Sequence, residues 1–158
     1  MMTTVYLGLG SNIAPHYHLT EAIKRLTAKF AVKQVSPWYE SAAIGFSGSD
    51  FINLVIEIST SESLEDLAEQ LRALELECGR PEDAQKNTSR AIDIDILLFG
   101  DYVGTWRGGE LPRADVDHYA YALKPLLDIQ PQLKDPRTGQ PFSERWPALA
   151  QQPLRLVS

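Results

Sequence analysis

An α+β fold follows from three observations on the 158-residue chain: segments with strand character, helical segments with one apolar face each, and their order, β-α-β-β-α-β. Thr4-Val5-Tyr6-Leu7-Gly8-Leu9-Gly10 reads as the first strand, closed by the turn-forming Gly10-Ser11-Asn12. Leu19, Ala22, Ile23 and Leu26 recur at i, i+3, i+4 and i+7, which predicts a helix over about residues 16–29. Residues 30–39 form the second expected strand, with Val32 and Val35 supplying β-propensity. A Gly/Ser-rich stretch at 45–49 leads to a third strand over 51–59, where Leu54, Ile56 and Ile58 alternate with Asn53, Val55 and Glu57. Ser63 is placed to cap a second helix, Asp66 sits in its first turn, and Leu64, Leu67, Ala68, Leu71 and Leu74 mark its apolar face. Gly79 is expected to end it in the left-handed conformation. A polar stretch without periodicity, 80–90, precedes the fourth strand, Ala91-Ile92-Asp93-Ile94-Asp95-Ile96-Leu97-Leu98-Phe99. The whole predicts a ferredoxin-like core, with two helices on one face of a four-stranded antiparallel sheet. Beyond Gly100 a short Gly-rich segment leads to a helix near 116–129, interrupted or ended by Pro125. Residues 131–158 hold five prolines and are expected to wrap the surface irregularly as a C-terminal extension. No repeat beyond the two β-α-β halves is visible, and a single domain over 1–158 is expected.

An apolar fraction of 44% and a charged fraction of 23% are those of a soluble globular protein. No apolar run approaches the ~20 residues that span a bilayer, so no membrane partner is expected. Met1-Met2-Thr3-Thr4 lacks a basic region followed by an apolar stretch, which argues against a signal peptide. With Cys78 the single cysteine, a cytoplasmic location is expected. A net charge of −6 disfavours nucleic acid, whose binders present basic surfaces. A small phosphorylated ligand remains compatible, since a few arginines and a metal ion suffice for it.

Asp93 and Asp95 are two apart on one strand, so they point to the same face, about 7 Å apart at Cα. Ile92, Ile94 and Ile96 then point into the core beneath the helices. Two neighbouring carboxylates repel each other and call for a cation, and Mg2+ with its preference for hard oxygen ligands suits them. An exposed strand face whose acids are merely solvated would carry the same pattern. Arg80 and Arg90 bracket the long polar stretch, placed like clamps on a polyphosphate, though Arg80 could equally close the second helix by its charge and Arg90 be a solvated strand end.

With these residues in view, the chain resembles the 6-hydroxymethyl-7,8-dihydropterin pyrophosphokinase family. The motifs are Tyr6-Leu7-Gly8-Leu9-Gly10-Ser11-Asn12, Ser36-Pro37-Trp38-Tyr39-Glu40-Ser41 running on to Gly45, Asp50-Phe51-Ile52-Asn53, and most specifically Ser89-Arg90-Ala91-Ile92-Asp93-Ile94-Asp95-Ile96-Leu97-Leu98-Phe99-Gly100. The resemblance covers about residues 4–133. It implies a monomeric enzyme that moves pyrophosphate from ATP to a pterin alcohol and releases AMP in folate biosynthesis. Carried over position by position, Asp93 and Asp95 would hold two Mg2+ ions. Asn53 would hydrogen-bond the pterin beside Phe51, with Ser41 and the backbone of Ala42, Ala43, Ile44 and Gly45 lining the slot and Tyr121 stacking on the ring. Arg80 and Arg90 match catalytic-loop arginines, and Arg72, Glu75, Ile96 and Arg113 match the nucleotide side. Metals and arginines would supply the charge neutralisation that phosphoryl-type transfer needs.

Departures cluster on that nucleotide side. Glu82 and Asn87 stand where the family has an Arg and a Trp, Arg113 follows Pro112 where it has His, Tyr119 replaces an arginine, and Gly108 and Glu110 replace an Arg and a Thr. Arg107 and Arg113 could compensate, and His118 reads as an ordinary surface histidine. Losses of positive charge leave a second reading, a pterin-binding paralogue with a degraded ATP site.

Overall fold

The computed structural model describes residues 1–42, 49–79 and 91–157. Alternation along the first strand sorts its side chains between two cores: in β1 (Thr3–Ser11) Val5, Leu7 and Leu9 face one side of the sheet and Tyr6 the other. α1 (Pro15–Lys29) follows, and its Leu19, Ala22 and Leu26 are fully buried. β2 (Ala31–Val35) is shorter than expected, and the chain returns to the sheet as a separate β3 (Tyr39–Ser41). The break has a local cause. Pro37 has no N–H to give a ladder, and just before it the Ser36 N–H donates to the Val55 carbonyl while Ser36 Oγ accepts the Val55 N–H, both at 2.9 Å.

β4 (Phe51–Thr60) and α2 (Leu64–Glu77) come next. Ser63 Oγ accepts the Asp66 N–H at 3.1 Å, and Gly79 takes φ +96° at the other end, as expected of both residues. β5 (Asp93–Phe99) completes the main sheet. β1 lies between β4 and β5 and is antiparallel to each; β2 and β3 both pair with the far side of β4. Leu64, Leu67, Leu71 and Leu74 of α2 join the α1 leucines, the β1 set, Leu54, Ile56 and Ile58 of β4, and Ile92, Ile94 and Ile96 in one core.

The opposite face of the sheet is covered by the C-terminal third, where structure and expectation differ most. The Gly-rich segment is a hairpin, β6 (Gly104–Trp106) and β7 (Gly109–Leu111), turning on Arg107-Gly108. The expected helix is two, α3 (Asp115–His118) and α4 (Ala120–Ile129), and the break falls at Tyr119 (φ −129°, ψ 126°). Pro125 neither interrupts nor ends α4. It lies inside, buried with Ala122, Leu123 and Leu126, and that burial outweighs the N–H it lacks. Residues 131–157 are not an irregular wrap either. They hold a 3-10 turn (Phe142–Arg145), α5 (Trp146–Leu149) and β8 (Arg155–Leu156), which pairs with β3. Phe142 and Leu149 join Leu123 and Leu126 of α4, Tyr6, Val55, Leu97 and Leu98 in a second core.

A carboxylate with no exposed surface, Asp135, ties this segment down. It accepts the backbone N–H of Arg137 at 2.8 Å, Arg137 Nε at 2.9 Å and Arg145 Nη2 at 2.5 Å, while Arg137 forks onto Asp117 at 2.9 and 2.8 Å. Burial alone would raise the Asp135 pKa; hydrogen bonds from Arg137, then Arg145, outweigh it and bring it from 3.8 to about 2. Among the described residues no helix is long and apolar enough to cross a membrane.

Because the folded value lies below the unfolded one, the contribution of Asp135 is complete above about pH 4 and is lost as pH falls toward about 2. Asp135→Asn should cost about 3–5 kcal/mol in urea titrations at pH 7, since it uncouples a buried charge from its partners. The gap between wild type and mutant should narrow by about 2.5 kcal/mol between about pH 4 and pH 2; a gap that stays constant across that window would rule out this role.

Candidate active site

Asp93 and Asp95 stand on one face of β5, with Ile94 and Ile96 buried on the other. Across the sheet, Asp93 pairs with Gly10, Gly10 with Asn53, and Asn53 with Tyr39. Residues directly opposite in antiparallel ladders share a face, so this row sets a carboxylate and an amide on the same surface with only a glycine between them. The next row repeats the pattern with Asp95, Gly8 and Val55. Glycine is required in the first: a Cβ on Gly10 would lie 2.9 Å from Asn53 Oδ1. Asn53 is buried, and its Nδ2 donates to Ser41 Oγ at 2.8 Å, which turns Oδ1 toward Gly10. Phe51, two residues before Asn53, shares its face and pairs with Ser41.

A bulge keeps both cores filled beyond the carboxylates. Leu7 pairs with Ile96 but Tyr6 with Leu98, so Leu97 is the extra residue, and Leu97 and Leu98 both enter the second core. On the helix side, buried Glu75 of α2 accepts the Ile94 N–H with Oε2 at 2.7 Å, which holds the strand at the residue between the two aspartates.

Arg113 arrives from the hairpin. Its N–H donates to the Leu97 carbonyl at 2.9 Å, its Nη2 lies 3.8 Å from Asp95 Oδ2, and its Nε lies 3.3 Å from Asp115 Oδ1. Burial pulls the Arg113 pKa down, but Asp95 and Asp115 more than offset it and the net direction is upward, so a cation is held beside Asp95. Tyr121 donates its hydroxyl to Asp115 Oδ2 at 3.0 Å and stacks on Tyr119 with centroids 4.9 Å apart. Burial first, then the charge of Asp115, raises its phenol, and it stays a neutral donor at physiological pH.

Along the outer edge of β5 runs a cleft of about 160 Å3. Ala68 and Leu71 of α2, Ile94, Ile96 and Trp106 give it apolar walls; Arg72, Glu75, Asp95, Glu110 and Arg113 give it charge, and Gly108 completes the lining. The structure therefore brings together Asp93, Asp95, Ser41, Phe51 and Asn53 on one sheet face, with Arg72, Glu75, Ile96 and Arg113 at the adjoining edge. Tyr121 reaches this group through Asp115 and Arg113. Ala42 ends the described stretch after β3, while Ala43, Ile44, Gly45, Arg80, Glu82, Asn87 and Arg90 lie outside the described residues. Sequence reasoning missed Trp106, Asp115 and the packing role of Gly10. Glycines alternating inside a strand were the available signal for Gly10, since they mark a close approach; Asp115 offered none.

Among the described residues no cluster of three or more His, Cys, Asp or Glu could hold a metal. Two hard carboxylates, with the Asp95 side chain 40% exposed, fit Mg2+, which retains water and takes further oxygens from phosphate, better than a metal needing a closed protein cage.

Comparison with known proteins matches residues 6–131 to the family described as 7,8-dihydro-6-hydroxymethylpterin-pyrophosphokinase (HPPK). The 2-amino-4-hydroxy-6-hydroxymethyldihydropteridine pyrophosphokinase of Aquifex aeolicus is 35% identical over 90% of both chains. The protein of that name from Pseudomonas aeruginosa is 38% identical over 86% of both. Of solved structures, Plasmodium falciparum HPPK-DHPS with pteroate superposes with a TM-score of 0.73 over 94% of this chain at 13% identity, a likeness of fold; this chain spans 42% of that one.

Gly10→Ala tests the first row. Its methyl must displace Asn53 Oδ1, so the Asn53 side-chain amide signals should shift in a 15N–1H spectrum, at a cost of about 1–3 kcal/mol in stability. Unmoved signals would show that the row is not packed through Gly10.

Proposed function

We propose a Mg2+-dependent pyrophosphoryl transfer, because the chain belongs to the 7,8-dihydro-6-hydroxymethylpterin-pyrophosphokinase family. The protein takes pyrophosphate from ATP, passes it to the hydroxymethyl group of 6-hydroxymethyl-7,8-dihydropterin and releases AMP, in folate biosynthesis. The observation that carries this reading is the row Asp93–Gly10–Asn53, which joins a carboxylate pair to an oriented amide on one face, beside a cleft that reaches Asp95.

At the pterin end Asn53 Oδ1, oriented by Ser41, accepts from an N–H of a flat heterocycle. Phe51 and Tyr121 offer rings to stack on it; the family resemblance assigns the lining of the slot to the backbone of Ala42 and of Ala43, Ile44 and Gly45, the last three outside the described residues. At the nucleotide end Arg72, Glu75 and Ile96 line the cleft, and Arg113, which lines it too, would meet the phosphates; the family resemblance adds Arg80 and Arg90, which lie outside the described residues, as further cations. Asp93 and Asp95 would hold Mg2+, two ions in this reading, which when bound neutralises phosphate charge and orients the polyphosphate. Glu75 keeps their strand in place through Ile94. The hydroxymethyl oxygen attacks the β-phosphorus in line as the bond from that phosphorus to the AMP oxygen breaks, and the hydroxyl proton is given up to solvent. Most of the acceleration then comes from positioning and charge neutralisation.

Tyr119 supplies no charge where the family has arginine, and it stacks on Tyr121 instead. Arg113 provides a cation close by. The binding-only paralogue gains no support from relatives that carry the kinase name over nearly the whole chain. The ferredoxin-like arrangement with a C-terminal extension belongs to the same reading, supported by the antiparallel neighbours β5, β1 and β4, with β2 and β3 beyond. So do one domain over 1–158, a monomeric state and a cytoplasmic location.

AMP release from ATP and Mg2+, measured with and without the pterin, tests the reaction. AMP should form only with the pterin, and Asp95→Ala should lower kcat by about a hundredfold or more. Folded, pterin-binding protein that releases no AMP would return the chain to the binding-only alternative.

A further inference from the structure

We infer that Trp106 is the platform on which this chain stacks the base of its nucleotide, an inference that rests on the cleft being the nucleotide site. A nucleoside triphosphate has a flat, weakly polar end and a polyanionic end. Arg113, and 3.8 Å from it Asp95 through the Mg2+ it would hold, stand on the cleft and suit the polyanion. The base is left with the apolar walls, and among the described residues lining the cleft Trp106 is the aromatic one.

The hairpin is built to hold that ring. Trp106 is half-buried against the main core and pairs with Gly109 across the turn. A Cβ on Gly108 would lie 2.4 Å from Trp106 Cζ2 and 2.5 Å from Cη2, so the benzo ring rests directly on a residue that has to be glycine. Just before Trp106, the Tyr102 hydroxyl donates to the Thr105 carbonyl at 2.8 Å, and beyond the turn Leu111 is buried in the main core. The indole is thus backed by backbone on one side and anchored at both ends of its hairpin. A ring held in place before the ligand arrives loses little freedom on stacking, which favours affinity. Gly108 also removes the cation that the family resemblance places there, so apolar stacking replaces charge on this side of the cleft.

Binding of a non-hydrolysable ATP analogue and of inorganic tripolyphosphate, each with Mg2+, separates base from phosphate recognition. Trp106→Ala should weaken the analogue about tenfold and leave tripolyphosphate unchanged, while Trp106→Phe should retain most of the affinity. Gly108→Ala, which displaces the indole, should also weaken the analogue alone. In case Trp106→Ala fails to fold, fluorescence decides: the analogue should quench tryptophan emission in wild type, Trp38→Phe and Trp146→Phe, with the quench abolished in Trp106→Phe. Equal weakening of both ligands, undiminished analogue binding in Trp106→Ala, or a quench that persists in Trp106→Phe overturns the inference. None of these measurements reads turnover. A wild-type chain that binds no nucleotide would sink the kinase reading as well, whereas binding indifferent to Trp106 would remove the platform alone.

Discussion

Among the described residues β5 is paired with β1 along one edge and with no strand along the other, and its side chains alternate acid and isoleucine through Asp93, Ile94, Asp95 and Ile96. The period of two leaves no choice once the isoleucines are buried beneath α2: both carboxylates must face the other way. A slip of one residue would bury the aspartates and expose the isoleucines, a penalty many times larger than any local preference could offset. The position of the carboxylate face is therefore set by hydrophobic burial, and the charges follow.

Register then decides what the carboxylates meet. β1 presents Gly8 and Gly10 to Asp95 and Asp93, and past Gly10 lies Asn53. Larger residues at those positions would fill the surface between acid and amide. Two further contacts hold β5 along its outer edge, Glu75 to the Ile94 N–H and the Arg113 N–H to the Leu97 carbonyl. A strand edge without a neighbouring strand carries open backbone groups; here side chain and backbone from α2 and the post-hairpin segment take up some of them at the point where the cleft opens. Arg113 adds charge there as well, lying between Asp95 and Asp115, so the hairpin that shapes the cleft also delivers its cation.

The C-terminal third was the least legible part of the chain. Five prolines and little periodicity suggested an irregular wrap, yet Phe142 and Leu149 fill a second core and Arg155-Leu156 extends the sheet. Both depend on partners far away along the chain, such as Tyr39 for Leu156 and Val55 for the second core, and pattern windows cannot register such pairings. Pro125 illustrates the same point, because helix propensity counts a missing N–H but not the burial that outweighs it. The Asp135 cluster was invisible for a different reason: Asp117, Asp135, Arg137 and Arg145 look like solvated surface charges until the fold removes Asp135 from water.

Elements whose signals are local were legible in the amino-acid order alone: the apolar faces of α1 and α2, the Ser63 cap and Gly79 stop, and the same-face aspartates with isoleucines opposite. These need only the helix and strand periods and nearest-neighbour chemistry. Motif resemblance further pointed to Asn53, Glu75, Ile96 and Arg113. It took the packed chain to set Asn53 one glycine from Asp93, to turn Glu75 onto the Ile94 backbone, to link Arg113 with Tyr121 through Asp115, and to wall the cleft with the Trp106 hairpin. Each of those depends on strand register or on the docking of a distant segment, and both are set by how the whole chain buries its apolar surface.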